Sequence, residues 1–371
     1  MESHRRPTTT VHDATVDTRY WQSLPDGRVQ CDVCPRGCRM HEGQRGLCFV
    51  RGVEAGRLQL FTYGRSSGFC VDPIEKKPLN HFLPGTAVLS FGTAGCNLAC
   101  KFCQNWDMSK SREMDTLADS ATPGELAAAA KRLDCASIAY TYNDPVIFME
   151  YAIDVAQAAR ELDVRSVAVT AGYICSAPRA EFFRYMDAAN IDLKGFSEQF
   201  YRNICGAELG AVLETLEYVH RETRVWLEVT TLLIPGLNDS PVELEAMCAW
   251  FIEHLGPDVP LHFTAFHPDW KMRDLSPTPL ATLKRARQIA LGHGLRYVYT
   301  GNVRDPEGGS THCHACGARL IGRHGYAVTQ WALTNHGECA RCGVPCAGVF
   351  APAPGDWGSN RVRVHLSGIR S

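Results

Sequence analysis

The chain has no apolar run long enough to span a bilayer. Its start, Met1 to Thr18, is polar and lacks the apolar core of an export signal, so a cytoplasmic protein is expected. Neither sign of charge is in excess. Lys plus Arg number 38 and Asp plus Glu 40, for a formal net charge of -2. That balance argues against coating nucleic acid or an anionic membrane by bulk electrostatics, and neither is expected as a partner. No repeat of solenoid or propeller period is present, and the only biased tract is Ala127 to Ala130. Apolar residues make up 45% and charged residues 21%, which excludes a disordered chain.

Cysteine, in contrast, is abundant. There are 17 in 371 residues, and they cluster. Four lie between Cys31 and Cys48, three between Cys96 and Cys103, and five between Cys313 and Cys346. In a long chain without an export signal such clusters more often hold metals than disulfides. The scattered Cys70, Cys135, Cys175, Cys205 and Cys248 read as small buried hydrophobes.

From about residue 87, β-branched runs alternate with helical patterns. Strands are expected at 87–91, 136–141, 166–170, 190–193, 225–234, 261–266 and 295–300. Helices are expected at 146–161, 179–189, 198–203, 211–220, 241–255 and 279–291. Another opens at Thr122-Pro123-Gly124-Glu125, which carries a cap, a first-turn proline and a capping-box return. The alternation predicts an α/β fold with a parallel sheet, a full or partial β/α barrel, with an open doubly wound sheet as the alternative. The expected organisation is a polar tail (1–27), a Cys-rich module (28–85), the barrel (86–305), and a zinc-ribbon-like module with a tail (306–371). Chemistry on such a fold sits at the C-terminal strand ends.

Directly after the first barrel strand lies Gly95-Cys96-Asn97-Leu98-Ala99-Cys100-Lys101-Phe102-Cys103. Three thiolates at C-x3-C-x2-C spacing can converge on an iron–sulfur cubane and leave one iron without a protein ligand. A zinc site with a distant fourth ligand is the alternative. Cys313-x2-Cys316 and Cys339-x2-Cys342, each followed by glycine, form two knuckles suited to a structural Zn2+, although Cys346 is a fifth thiol nearby. Cys31, Cys34, Cys38 and Cys48 fit either zinc or an auxiliary iron–sulfur cluster, and spacing does not choose. His267, after strand six, is the best candidate for a substrate-facing polar group, against a purely structural role. Glu75, Lys76 and Lys77 are assigned no mechanism beyond loop hydrogen bonds, with a solvated charge run as the alternative.

The central motif resembles that of the radical S-adenosylmethionine (SAM) enzymes. With the stretch from Asp72 through Glu75-Lys76-Lys77-Pro78 to Gly85, and Cys103-Gln104-Asn105, the chain resembles the pyruvate formate-lyase-activase-like branch. Within that branch it is most similar to the radical SAM protein of the AmmeMemoRadiSam system. The resemblance covers Cys31 to about Trp357. It implies a partial (β/α)6 barrel, a [4Fe–4S] cluster on Cys96, Cys100 and Cys103, and SAM chelated at the open iron. It also implies one-electron cleavage to a 5′-deoxyadenosyl radical that abstracts hydrogen from a substrate, as in a glycyl-radical activase acting on a protein. Matched residue by residue, Asn143 and Asp144 stand where the family contacts the SAM amino group, in place of the commoner Gly-Gly-Glu. Thr170 matches the strand-three region near SAM, and Asp192 with Lys194 matches the Asp-x-Lys of strand four. An electron donor such as flavodoxin or ferredoxin, and Memo-like and AMMECR-like functional partners, are implied. The rival is a non-enzymatic scaffold stapled by zinc at every cysteine cluster.

Overall fold

The computed structural model describes residues 15–112, 117 and 119–365. Seven parallel strands form its centre: β1 (Ala87–Phe91), β2 (Ser137–Tyr140), β3 (Arg165–Thr170), β4 (Ala188–Asp192), β5 (Trp226–Leu233), β6 (Leu261–Ala265) and β7 (Val298–Gly301). They lie side by side in strict chain order. The main crossover helices are α1 (Pro123–Arg132), α2 (Met149–Glu161), α3 (Ser176–Arg184), α4 (Leu209–Glu222), α5 (Pro241–Leu255) and α6 (Leu280–Gly292). Right-handed crossovers between strands in unbroken order place every helix on the same face. A doubly wound sheet needs a reversal of strand order, and this sheet has none. The fold is therefore the partial barrel. Beyond β1 the sheet continues with two antiparallel strands, Phe69–Pro73 and then Val362–Val364.

Those two strands redraw the expected organisation, because Phe69–Pro73 and part of the C-terminal tail belong to the barrel sheet. Thr122 caps α1 with the full capping box. Elsewhere, tertiary contacts override local preference. The helix expected at 179–189 stops at Arg184, because Ala188 and Ala189 are buried between β3 and β5 and take strand geometry. The helix expected at 146–161 is two pieces, a 3-10 turn at Pro145–Phe148 and then α2. The helix at 198–203 is a short turn, Glu198–Phe200, that widens into a π-turn at Tyr201–Cys205, closed by Gly206 in the left-handed region.

The loop at Asn80-His81 is fixed to the barrel strands. Buried Glu228 of β5 accepts the amides of Asn80 (3.0 Å) and His81 (2.7 Å), the Trp226 indole (3.0 Å) and a contact from His262 (2.7 Å). His81 also links to the Ala347 carbonyl (2.6 Å) and the Tyr299 hydroxyl (2.5 Å), which ties the C-terminal module to the barrel. Among the described residues, no helix is long and apolar enough to cross a membrane.

Candidate active site

The loop after β1 is held from three directions. From the barrel, the Asn143 amide donates to the carbonyls of Thr93 (2.7 Å) and Gly95 (2.8 Å) and accepts from the Thr93 amide (3.3 Å). From the π-turn, the carbonyls of Ile204 and Cys205 accept the Lys101 and Ala99 amides. From the N-terminal module, the Cys48 carbonyl lies where Gly95 has no side chain. A Cβ at Gly95, whose φ is +82°, would stand 1.9 Å from that oxygen. Only glycine fits such a position.

Cys96, Cys100 and Cys103 line one cavity at the C-terminal ends of the strands, together with Thr170, Asp192 and Lys194. The cavity opens to solvent, and with its mouth it spans about 1080 Å³ of atom-free space. Lys194 donates to Asp192 at 2.8 Å and stands 5.8 Å from the Phe102 ring centroid. Burial disfavours its charge, but Asp192 and then the Cys100 and Cys205 thiols hold its pKa well above the ordinary value. Lys194 is thus a fixed cation. The Cys205 thiol beside it, and then the Lys194 and Lys110 ammonium groups, bring Cys100 down to about 7 against the effect of burial. Burial first, and Asp144 second, push Cys96 up to about 12. Cys103 contacts the Ser109 hydroxyl at 3.0 Å. Three thiols in one cavity with a paired lysine, the half-buried Asp192 and the buried Asp144 fit a cluster with three protein ligands and an amino-acid moiety at its open iron.

The other residues expected at the site are placed with more structural duties. Asn143 lines the cavity, but its amide is committed to the cluster loop. Asp144 caps the turn at Val146 (3.1 Å) and accepts from Thr170 (2.9 Å) and the Ala171 amide (3.1 Å). Oδ1 accepts two of these bonds and is filled, whereas Oδ2 accepts one and keeps acceptor capacity. His267 stands apart. It is exposed and lines neither this cavity nor its neighbour, because β6 turns His262 and Thr264 inward and ends at Ala265. The alternative of a solvated charge run at Glu75 to Lys77 is excluded. Glu75 and Lys77 are buried, and Lys76 and Lys77 both pair with buried Asp72, at 2.8 and 2.7 Å. Tyr142 donates to the same carboxylate at 2.7 Å. Sequence reasoning missed Lys110, which lines the cavity and donates to the Leu98 carbonyl.

In the C-terminal module the sulfurs of Cys313, Cys316, Cys339 and Cys342 all lie within 4.8 Å of one another. Cys346 is outside this group and sits near His81, at 4.0 Å.

A model of the radical SAM superfamily matches residues 91–247. That segment is a radical SAM domain. Superfamily membership implies a [4Fe–4S] cluster and SAM, and an enzyme that cleaves SAM to a radical. An uncharacterized protein of Methanocaldococcus jannaschii is 41% identical over 326 residues, which is 88% of this chain and 96% of that protein. A radical SAM methyltransferase from Sphaerobacter thermophilus is 17% identical, covering 59% of this chain and 67% of that one at a TM-score of 0.48. A domain of pyruvate-formate lyase-activating enzyme from Bacteroides vulgatus is 16% identical, covering 45% and 99% at a TM-score of 0.40.

Proposed function

We propose that this radical SAM enzyme abstracts hydrogen from a polar substrate, with a protein segment the leading class, as in a glycyl-radical activase. The observation that carries the polar substrate is a second cavity, of about 1360 Å³ of atom-free space, which shares Pro78, Thr264 and Asn302 with the first. Its lining includes Lys76, His262, Arg323 and Glu75, and an open cavity with so polar a lining suits a peptide segment better than a compact apolar ligand.

When bound, the cluster on Cys96, Cys100 and Cys103 supplies one electron to SAM, releasing a 5′-deoxyadenosyl radical that takes a substrate hydrogen atom. This chain's residues supply the setting. Lys194, kept charged by Asp192, suits the SAM carboxylate, and the remaining acceptor capacity of Asp144 suits its amino group. Leu98 and Phe102 provide apolar cover that excludes water. The reading includes a low-potential donor such as flavodoxin or ferredoxin, Memo-like and AMMECR-like functional partners, a structural Zn2+ in the C-terminal knuckles, and a cytoplasmic setting.

The test is anaerobic reconstitution, dithionite reduction, and electron paramagnetic resonance before and after SAM addition, with assay of 5′-deoxyadenosine. A spectrum that shifts with SAM, with deoxyadenosine formed, is expected. Reconstituted protein with no SAM response overturns the reading. For the activase, the expected result is a glycyl-radical signal in a co-expressed partner. Deoxyadenosine with no such radical in any partner refutes that part.

A further inference from the structure

Cys31 ends one short strand and Cys38 precedes the next, and the Cys31 amide donates to the Cys38 carbonyl at 2.9 Å. Cys34 and Cys48 lie on the adjoining turns, and all four thiols line a single cavity. Two metal types compete for such a set, and they differ in how far apart they hold the sulfurs. A tetrahedral zinc with Zn–S bonds of about 2.3 Å holds them about 3.8 Å apart. The C-terminal knuckles meet that requirement, with sulfur pairs at 3.6 and 3.7 Å. Among the described residues, no other three Cys, His, Asp or Glu ligand atoms all lie within 4.8 Å of one another. The N-terminal four are therefore more widely spread than one tetrahedral ion permits. Cys96, Cys100 and Cys103, the cluster ligands, are spread in the same way. A cubane separates its thiolates because each holds a different iron.

Burial disfavours the thiolates here, and backbone amides oppose it in part. Backbone amides of Val33, Arg36 and Arg51 point at the sulfurs of Cys31, Cys34 and Cys48. The Arg36 Nε is buried on the same cavity with no partner. Val33, Met40 and Leu47 form an apolar shell, of the kind that sets a cluster's dielectric.

From this geometry we propose that Cys31, Cys34, Cys38 and Cys48 hold a second [4Fe–4S] cluster, closed by four protein thiolates. Its place is directly behind the first. The Cys48 carbonyl packs on Gly95, and Asn97, next to Cys96, lines the second cluster's cavity. With no open iron, this cluster binds no substrate. Its role, which rests on the radical SAM reading, is to accept one electron from a low-potential donor protein and pass that electron to the first cluster.

The experiment uses full-length protein reconstituted anaerobically with ferrous iron and sulfide. Wild type should carry about eight irons per chain. The variant Cys96→Ala/Cys100→Ala/Cys103→Ala should keep about four, with a reduced-state signal that SAM does not change. The variant Cys31→Ala/Cys34→Ala/Cys38→Ala/Cys48→Ala should keep about four, with a signal that SAM does change. Should that variant misfold, the iron contents of wild type and of the first variant decide alone. About four irons in wild type, with none in the first variant and a second zinc beyond that of the knuckles, overturns the proposal. A wild type with eight irons and no SAM response would instead sink the radical SAM reading and leave the second cluster standing.

Discussion

Replacing Gly95 with alanine should damage the protein far more than one methyl group ordinarily does. Two costs combine. The positive φ of +82° strains any L side chain, at about 1–2 kcal/mol. The new Cβ would also meet the Cys48 carbonyl oxygen at 1.9 Å, where real Cβ contacts essentially never fall below 3.0 Å. That oxygen is backbone, so the N-terminal module and the cluster loop must separate by about 1 Å. Overpacking of this kind costs about 1–3 kcal/mol, giving about 3 kcal/mol in total. Gly236→Ala is the control, since its φ is +75° with nothing within 4 Å of the added Cβ, and it carries only the first cost. An unfolding entropy of about 2.1 cal/mol/K per residue over 371 residues is about 0.8 kcal/mol/K. Gly95→Ala should therefore lower Tm by about 4 °C and Gly236→Ala by about 1–2 °C, read by anaerobic thermal denaturation. Iron content should fall for Gly95→Ala alone. Equal Tm losses with full iron in both variants would refute the close packing of the two cysteine modules.

Lys194→Met should weaken SAM binding about tenfold or more, and Lys194→Arg less, by equilibrium dialysis with labelled SAM; an unchanged Kd removes Lys194 from the site. Cys342→Ser should remove one zinc per chain while Cys346→Ser leaves zinc intact, by metal analysis of purified protein; the reverse pattern would put Cys346 in the ligand set. Arg51→Met strands buried Glu150, its partner in a bidentate pair (one contact 3.0 Å), and should cost about 3–5 kcal/mol. The double variant Arg51→Met/Glu150→Leu should recover most of that in urea denaturation, and additive losses would contradict it. Burial brings His81 down to about 4 against the opposing pull of Glu228, so it is neutral in the fold. The unfolded chain takes up a proton below about pH 6.5 that the fold does not. The His81 contribution is thus steady above that pH and worsens as pH falls towards 4, by about 3 kcal/mol. His81→Gln should flatten this slope relative to wild type, and parallel slopes would exclude it.

The residues that announce themselves in the sequence do so through local spacing. C-x3-C-x2-C, the paired knuckles and the short β-branched runs of the barrel strands need no tertiary contact to be read. The residues that escape are those whose role depends on what folds against them. Lys77 looks like a surface charge, and becomes a buried one only when Asp72 and Tyr142 are folded around it. Asn143 stands beside a carboxylate in a loop, and its commitment to Thr93 and Gly95, 50 and 48 residues earlier, has no local signature. Ala188 and Ala189 favour a helix by propensity, but their burial between neighbouring strands decides for β4. His267 is the opposite case. Its place just past β6 looked functional, yet β6 ends at Ala265 and leaves it on the surface.

The three supports of the cluster loop also explain why this barrel carries its N-terminal module. A loop with Gly92, Thr93, Ala94 and Gly95 between strand and cysteines has few side chains with which to hold itself rigid. Asn143 fixes its start and the π-turn fixes its middle, but neither reaches the outer side of Gly95. Cys48 does, and its own position depends on the thiols beside it and on the buried Arg51–Glu150 pair that joins the module to α2. Metal in the N-terminal set would then brace the first cluster mechanically, whatever electrons it also carries. Chelation there should slow the loss of iron from Cys96, Cys100 and Cys103 as well. In the variant lacking Cys31, Cys34, Cys38 and Cys48, the remaining cluster should bleach faster in air than in wild type, followed by its visible absorbance. Equal bleaching rates would show that the loop is held by the barrel alone.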